Sequence, residues 1–514
     1  MCATAREKTP LAGTFPFDFF VIRGMNRIVI MLSVSLICTC SVHGQLDRTH
    51  IQGAASPYAL SSDYRALGYN PALLTHAGWA GDFQKVSGGF EGGFSLKSNM
   101  LDRQDLWGQI LGRDGQESTS WTSDEWLEAL ADERLALNVS FLSAAFARRF
   151  GKWGVAYANR RGVSANLSLS SKTAKLFTDG GLDLFSDIVL VETGDTVSVE
   201  DFDFQLGDLW EGVTVSGDAT LANLLEGTSL SYQSMRTHEF GLSRVWGDIA
   251  DGWTLHTGVG VRALLGTAYF DIHTEEGEVV AFGARSEGFR ISNLQSLDSL
   301  LGGGPSVDWL GVLSPAGHGW GLDFGGVLSR SDGLWISLSL VDMGRMTWEG
   351  EMYSVNDIDL SLSSFGSSEG AIDPDNWLSG AIDVLDPETW FQSSESVTRR
   401  VSNRPMVALG AGFRPVGPVV VAANITARSR EALTNGGWTG GLSGGIRITN
   451  AWIVEAGVQR GRADVWRFPA SMRISLENGW EIGLRSGDVS AYWEGSQPEI
   501  SFQTCFLRYR VGGI

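Results

Sequence analysis

The sequence predicts an all-β fold: a transmembrane, antiparallel up-and-down β-barrel of about fourteen strands, with an N-terminal plug and long acidic extracellular loops. Three observations predict it. Apolar residues alternate with polar or small ones over long segments. The connections between those segments are alternately short and long. Tryptophan collects at segment starts.

The alternation has period 2, the period of a strand with two different faces. In Leu334–Val341, Leu334, Ile336, Leu338 and Leu340 share one face and Trp335, Ser337, Ser339 and Val341 the other. In 480–486, Trp480, Ile482 and Leu484 oppose Glu481, Gly483 and Arg485. Segments of this kind run over about 83–96, 134–150, 153–170, 236–247, 253–272, 318–330, 333–348, 404–414, 417–427, 437–448, 451–460, 466–476, 479–488 and 499–511. Many exceed the usual strand of about 5–6 residues and suit a tilted bilayer crossing.

The short connections are Gly151-Lys152, 247–252, Ser331-Asp332, Pro415-Val416, Thr449-Asn450 and Glu477-Asn478. The alternate set is headed by 97–133, 171–235, 273–317 and 349–403. Short turns at one barrel end and long loops at the other is the outer-membrane arrangement. Trp153, Trp253, Trp335, Trp452 and Trp480 follow short turns, where an interfacial girdle is expected.

Composition agrees. The 514 residues include 65 Gly, 13 Pro and 19 Trp, only 19% are charged, and mean hydropathy is near zero. A chain whose residues face lipid and lumen in turn averages to such a value. The net charge of −20 lacks the basic footprint that nucleic acid requires. More than half of the 59 acidic residues fall in the four long loops. Within those loops, 123–133 and 373–385 read as short helices over the barrel mouth.

Residues 1–44 read as a signal peptide, with Met25 an alternative start. Arg27 gives a positive n-region, 28–38 an apolar core, and Val42 and Gly44 a small-residue cleavage site before Gln45. That apolar core is shorter than the roughly 20 residues of a spanning helix, so a membrane-embedded mature chain crosses as strands. Of Cys2, Cys38, Cys40 and Cys505, only the last follows the cleavage site, so no intramolecular disulfide is expected.

Residues 45–82 precede the first strand and read as the plug, with 83–514 as the barrel. They carry Asn70-Pro71-Ala72, in which Asn caps a turn and Pro takes the first helical position. With this motif the chain resembles the long-chain fatty acid transporter (FadL-like) barrels and the related PorV-like barrels. The segments Gly319–Arg330 and Trp335–Trp348 resemble a hairpin of the same group. The FadL-like resemblance implies a plugged outer-membrane channel for small hydrophobic molecules. Its PorV-like side implies a structural or scaffold barrel that recruits protein partners of a secretion or cell-surface complex.

No enzyme and no cofactor are expected: neither a Gly-x-Ser-x-Gly nor a His-Glu-x-x-His set is read in the sequence, and the seven histidines show no metal-ligand spacing. The strand phase instead sends a set of polar residues into the lumen: His256, Arg262, Asp323, Arg447, Glu455, Arg473, Glu477, Glu481 and Arg485. These either pair as a structural ladder or hold a substrate head group. Gly258, Gly260, Gly410 and Gly412 sit inside strand patterns, where something needs close approach.

Overall fold

The structure is a computed structural model. It describes residues 55–76, 86–98, 134–171, 173, 187–189, 196–198, 225–250, 252–275, 278–286, 315–355, 391–415, 417–428, 437–449, 451–461, 466–490, 499–500 and 502–511. The expected signal peptide and the expected loop helices at 123–133 and 373–385 lie outside these residues.

Fourteen antiparallel wall strands form the barrel. They are β1 (Val86–Ser98), β2 (Arg134–Phe150), β3 (Trp153–Ser168), β4 (Ser229–Ala250), β5 (Trp253–Glu275), β6 (Gly317–Arg330) and β7 (Leu334–Val355). Then follow β8 (Phe391–Ser402 with Met406–Phe413), β9 (Val419–Arg428), β10 (Trp438–Arg447) and β11 (Trp452–Gly461). The last three are β12 (Trp466–Arg467 with Ala470–Ser475), β13 (Trp480–Ser486) and β14 (Glu499–Ile500 with Phe502–Val511). Each pairs with its neighbours in sequence, and β14 pairs with both β13 and β1, so the sheet closes on itself. Closure removes the sheet edge, which is what lets strands sit in lipid. Left-handed glycines at Gly151, Gly252, Gly333, Gly417 and Gly479 close short turns at one end.

The outward face is apolar. Phe90, Phe141, Val261, Phe324, Leu338, Leu409, Ile425, Leu442, Ile482 and Leu507 are all exposed there. Aromatic rings mark both rims. Trp153, Trp246, Trp452 and Trp480 lie toward the short turns, and Trp320, Trp438 and Trp466 toward the long connections. Arg244 lies over Trp153 (4.9 Å) and Trp246 (4.2 Å), and Arg330 over Trp253 (5.3 Å). An apolar belt between two aromatic girdles is the surface of a membrane-spanning barrel. Trp335 does not join the girdle. It faces the lumen at 3% exposure, because the same alternation that turns Leu334 and Ile336 outward turns it inward.

Three of the long connections carry more strand than their sequence suggests. β4 begins at Ser229, β7 continues to Val355 and β8 starts at Phe391. Residues Glu278–Arg285 form an inserted strand between the top of β5 and the top of β7. Below it, β6 takes the same slot, pairing with β5 from Gly266 to Trp253 and with β7 up to Trp348. The wall therefore rises past the belt on this side. A two-stranded hairpin, Asp187–Val189 with Thr196–Ser198, stands apart from the barrel sheet.

Candidate functional site

Residues 55–76 lie inside the lumen and share a core with its wall. Ala59, Leu60, Tyr64, Ala66, Leu67, Ala72, Leu73 and Leu74 pack with Leu142, Ala156, Val327, Trp335, Val420 and Ile453. Three single turns make up the plug: an α-turn at Pro57–Leu60 and 3-10 turns at Asp63–Ala66 and Pro71–Leu74. Such short turns leave most backbone groups without local partners, so the wall must supply them.

It does so with neutral side chains. The Trp335 indole N–H donates to the Ala59 carbonyl (3.0 Å), Ser337 to Tyr58 (2.9 Å), Ser243 to Ala72 (3.2 Å) and Gln459 to Ala55 (3.1 Å). Ser56 donates back to the Ala422 carbonyl (3.1 Å). Asn70, Pro71 and Ala72 are fully buried; Asn70 Oδ1 accepts from Ala72 N–H (3.0 Å), and its amide reaches the carbonyls of Gly326 and Leu338 (both 3.4 Å). The motif is thus a cap whose other end is tied to two wall strands.

Inward glycines give the plug its bed. A Cβ on Gly258 would lie 2.4 Å from Ala72 N, and one on Gly325 would lie 2.0 Å from Asn70 Oδ1. A Cβ on Gly441 would meet the Ala55 carbonyl at 2.1 Å, and one on Gly154 the Leu74 carbonyl at 2.9 Å. Gly410 stands against Ser337 and Ala59, and Gly412 against the Trp335 ring. Backbone approaches backbone here, which no side chain would permit.

The sequence-predicted polar residues take distinct places. His256 sits under the plug, with Nδ1 3.1 Å from Thr75 Oγ1 and Nε2 3.1 Å from Ser329 Oγ. Its ring meets His76 edge-on, centroids 5.5 Å apart. Arg262 and Asp323 pair at 2.5 Å, and the guanidinium also contacts Asp342. Asp323 further accepts from the Asp342 backbone N–H (2.8 Å). Glu455, Arg473 and Glu481 form a chain, with Arg473 3.6 Å from Glu455 and 3.4 Å from Glu481. Arg485 is buried on the same inward face, and its Nε and Nη1 have no hydrogen-bond partner among the described residues. Arg447 is half-buried near the short-turn end of β10, away from that chain. Glu477 is not in the lumen: it is exposed in the turn between β12 and β13, because the strand stops at Ser475.

Several participants escape the sequence reading. Arg508 holds both oxygens of Glu481 (2.7 Å each) and also contacts Asp63 of the plug. Tyr64 donates to Glu91 on β1 (2.9 Å), and Arg160 lies between Glu91 (4.0 Å) and Glu239 (3.5 Å). Burial, reinforced by Glu91 and Asp63, pushes the Tyr64 phenol well above its ordinary value, so it remains a donor. Arg65 is buried, which works against its charge, yet Asp63 (3.2 Å) holds it above its ordinary value. His76 is pushed down to about 3 by burial and then by His256 and Arg149. Gly441-Leu-Ser443-Gly-Gly445 does have the Gly-x-Ser-x-Gly spacing of a hydrolase elbow, which corrects the expectation that the sequence lacks it. It runs straight along β10 and Ser443 donates to the Ala422 carbonyl (3.4 Å), so it is not a strained strand-to-helix turn.

The lumen changes character toward the long connections. Leu264, Tyr269, Phe282, Ala284, Met346, Trp348 and Val401 form a separate apolar cluster there. Tyr269 stacks on Trp348 (5.1 Å) and leans on Phe282 (5.8 Å), and Arg399 caps both Tyr269 and Phe282 while pairing with Asp271 (2.9 Å).

A family model described as of unknown function (DUF5723) matches residues 208–455. No curated protein matches the sequence significantly. Among solved structures, a mutant of the TodX monoaromatic hydrocarbon channel overlaps with a TM-score of 0.42 at 10% identity, over 92% of this chain and 99% of that one. The CymD monoaromatic hydrocarbon channel overlaps at 0.38 and 8% identity, over 90% and 98%. A Pseudomonas aeruginosa FadL homologue overlaps at 0.35 and 11% identity, over 92% and 97%. The barrel assignment itself rests on the closed strand ladder.

Proposed function

We propose that the protein is an outer-membrane channel for small hydrophobic molecules, entered from the long-connection side and held shut by residues 55–76. The observation that carries this reading is the division of the lumen. A channel for polar solutes needs a continuous water-lined path. Here the half nearer the long connections is lined by Leu264, Tyr269, Phe282, Met346 and Trp348, and the plug lies beyond it. Apolar walls with few polar groups are the usual lining of a site for an apolar ligand. Passage then requires the plug to shift, since its carbonyls are tied to Trp335, Ser337, Ser243 and Gln459.

The test is uptake of a labelled medium-chain hydrocarbon by cells producing the protein. Wild type should take it up faster than cells without the protein, and Trp348→Arg, checked for folded migration on gels, should abolish the difference. Equal uptake with and without the protein would overturn the channel. A scaffold barrel is the second reading, favoured by the wall that rises past the belt at β4, β5, the inserted strand and β7. On that reading uptake is flat, and loss of the raised hairpin costs recruitment of a partner protein.

A further inference from the structure

The apolar belt is interrupted on two adjacent strands. On β3, Arg160 points inward to Glu91 and Glu239, so Asn159 and Arg161 point outward. On β4, Met235 and Thr237 are buried inward, so Arg236 and His238 point outward. The register sets Arg161 directly opposite Arg236 and Asn159 opposite His238. Arg236 Nε donates to Asn159 Oδ1 (3.0 Å), and the Tyr157 hydroxyl lies 2.9 Å from His238 Nδ1. Tyr157 packs on the outward Phe240 (4.9 Å). The cross-strand neighbours are apolar again, Phe141 beside Arg161 and Leu265 beside Arg236.

Depth follows from the strand. Arg161 is eight residues along β3 from the girdle residue Trp153. At about 3.3 Å per residue and a tilt near 40°, that is about 20 Å up a belt of about 25 Å. Arg161 and its register partner Arg236 therefore stand in the part of the belt nearest the long connections, from which an arginine side chain reaches the outer-leaflet phosphates. Like charges directly opposite each other on one sheet face repel, and lipid on one side weakens the screening. Among the described residues, no carboxylate forms an ion pair with either guanidinium.

We propose that this patch binds the phosphate of an outer-leaflet lipid, with Arg161 and Arg236 as its two cationic arms and Tyr157 and Phe240 supporting the acyl chain below. Arginines at directly opposed positions of neighbouring strands can converge on one phosphate, which accepts paired N–H donors from each. An anion between them also removes the repulsion that the register imposes. The site rests on the outer-membrane placement and not on the channel reading, so the hydrocarbon uptake test and the lipid test can fail independently.

The experiment is native mass spectrometry of the purified barrel with diphosphorylated lipid A and with the same lipid stripped of its phosphates. Wild type should retain the phosphorylated lipid, and the double variant Arg161→Gln/Arg236→Gln should retain about ten- to a hundredfold less. The lysine pair, Arg161→Lys/Arg236→Lys, should keep part of the binding, because charge survives while the fork geometry does not. Heat-modified gel migration reports that each variant is folded. Equal retention by wild type and the glutamine pair overturns the proposal, as does equal retention of phosphorylated and stripped lipid. Capture of a protein chain instead of lipid by a photoreactive group at Val163 would also overturn it.

Discussion

The two halves of the lumen are stabilised by opposite means. Toward the short turns, the plug and wall meet through backbone approach, single hydrogen bonds and a chain of buried charges running Glu455, Arg473, Glu481, Arg508, Asp63. Toward the long connections, aromatic and aliphatic side chains simply pack. The first half is specific and brittle: each buried charge depends on its partner, and a missing partner leaves an ion in a dry site. The second half is tolerant of detail and sensitive to volume. On the proposed channel function, holding a plug in one register and accepting variable apolar molecules call for one half of each kind.

Arg508 gives the largest expected separation between the halves. Arg508→Met removes the bidentate partner of the fully buried Glu481, leaving it Arg473 as its cation, and loosens Asp63. A loss of about 3–5 kcal/mol is expected, with earlier protease cleavage within 55–76 than in wild type. Chemical denaturation of the folded barrel in detergent measures the first and limited proteolysis the second. If both are unchanged, the charge chain does not hold the plug.

Trp348→Ala tests the other half. Trp348 is fully buried against Tyr269, Gly266 and Gly317. Its removal should cost about 3–5 kcal/mol at most, less where the cluster collapses, and should leave the plug as protected as in wild type. Plug cleavage as fast as in Arg508→Met would show that the two halves behave as one unit.

His76 gives an effect set by pH, smaller for each unit of pH than either substitution. Its docked-state value of about 3 lies below the ordinary 6.5. Above about pH 6.5 the imidazole is neutral whether the plug is docked or released, and it contributes nothing. As pH falls from there toward 3, the released form takes a proton that the docked form refuses, so docking weakens by up to about 1.4 kcal/mol per unit. His76→Gln should flatten that part of the pH profile of plug protection. An identical slope in wild type and variant would assign the acid sensitivity elsewhere.

The membrane-embedded part of the fold is legible because lipid and lumen impose opposite demands on successive residues. Leu338 and Ser339 are a clear case, one half exposed and the other at 2% exposure. Above the belt that contrast ends, and so does the signal. Ala268 and Ile272 are buried on one face of the rising wall while Tyr269 and Asp271 are buried on the other, so Glu278–Arg285 and the start of β8 read as loop. In the lumen, phase alone places Arg262, Asp323, Glu455, Arg473 and Glu481. It does not reveal their partners, because register across strands decides those. Asp63 and Asp342 are harder still: both adopt left-handed backbone (φ 56° and 66°), a conformation that Asp tolerates but does not announce. Arg508 is outside the set read as inward, and what singles it out is its contact with the plug and with Glu481.

The plug meets the wall where the chain's first and last strands join. Tyr64 is bonded to Glu91 on β1, Asp63 to Arg508 on β14, and Gly89 makes room for the Tyr64 ring beside Leu507. Those two strands are the farthest apart in sequence of any pair in the wall, so theirs is the costliest loop to close. Because the same plug residues touch both, joining the strands and seating the plug share one set of contacts and must favour each other by the same free energy. The segment that fills the lumen is thereby also a clasp on the cylinder, and anything that withdrew it would leave that join to its backbone ladder alone.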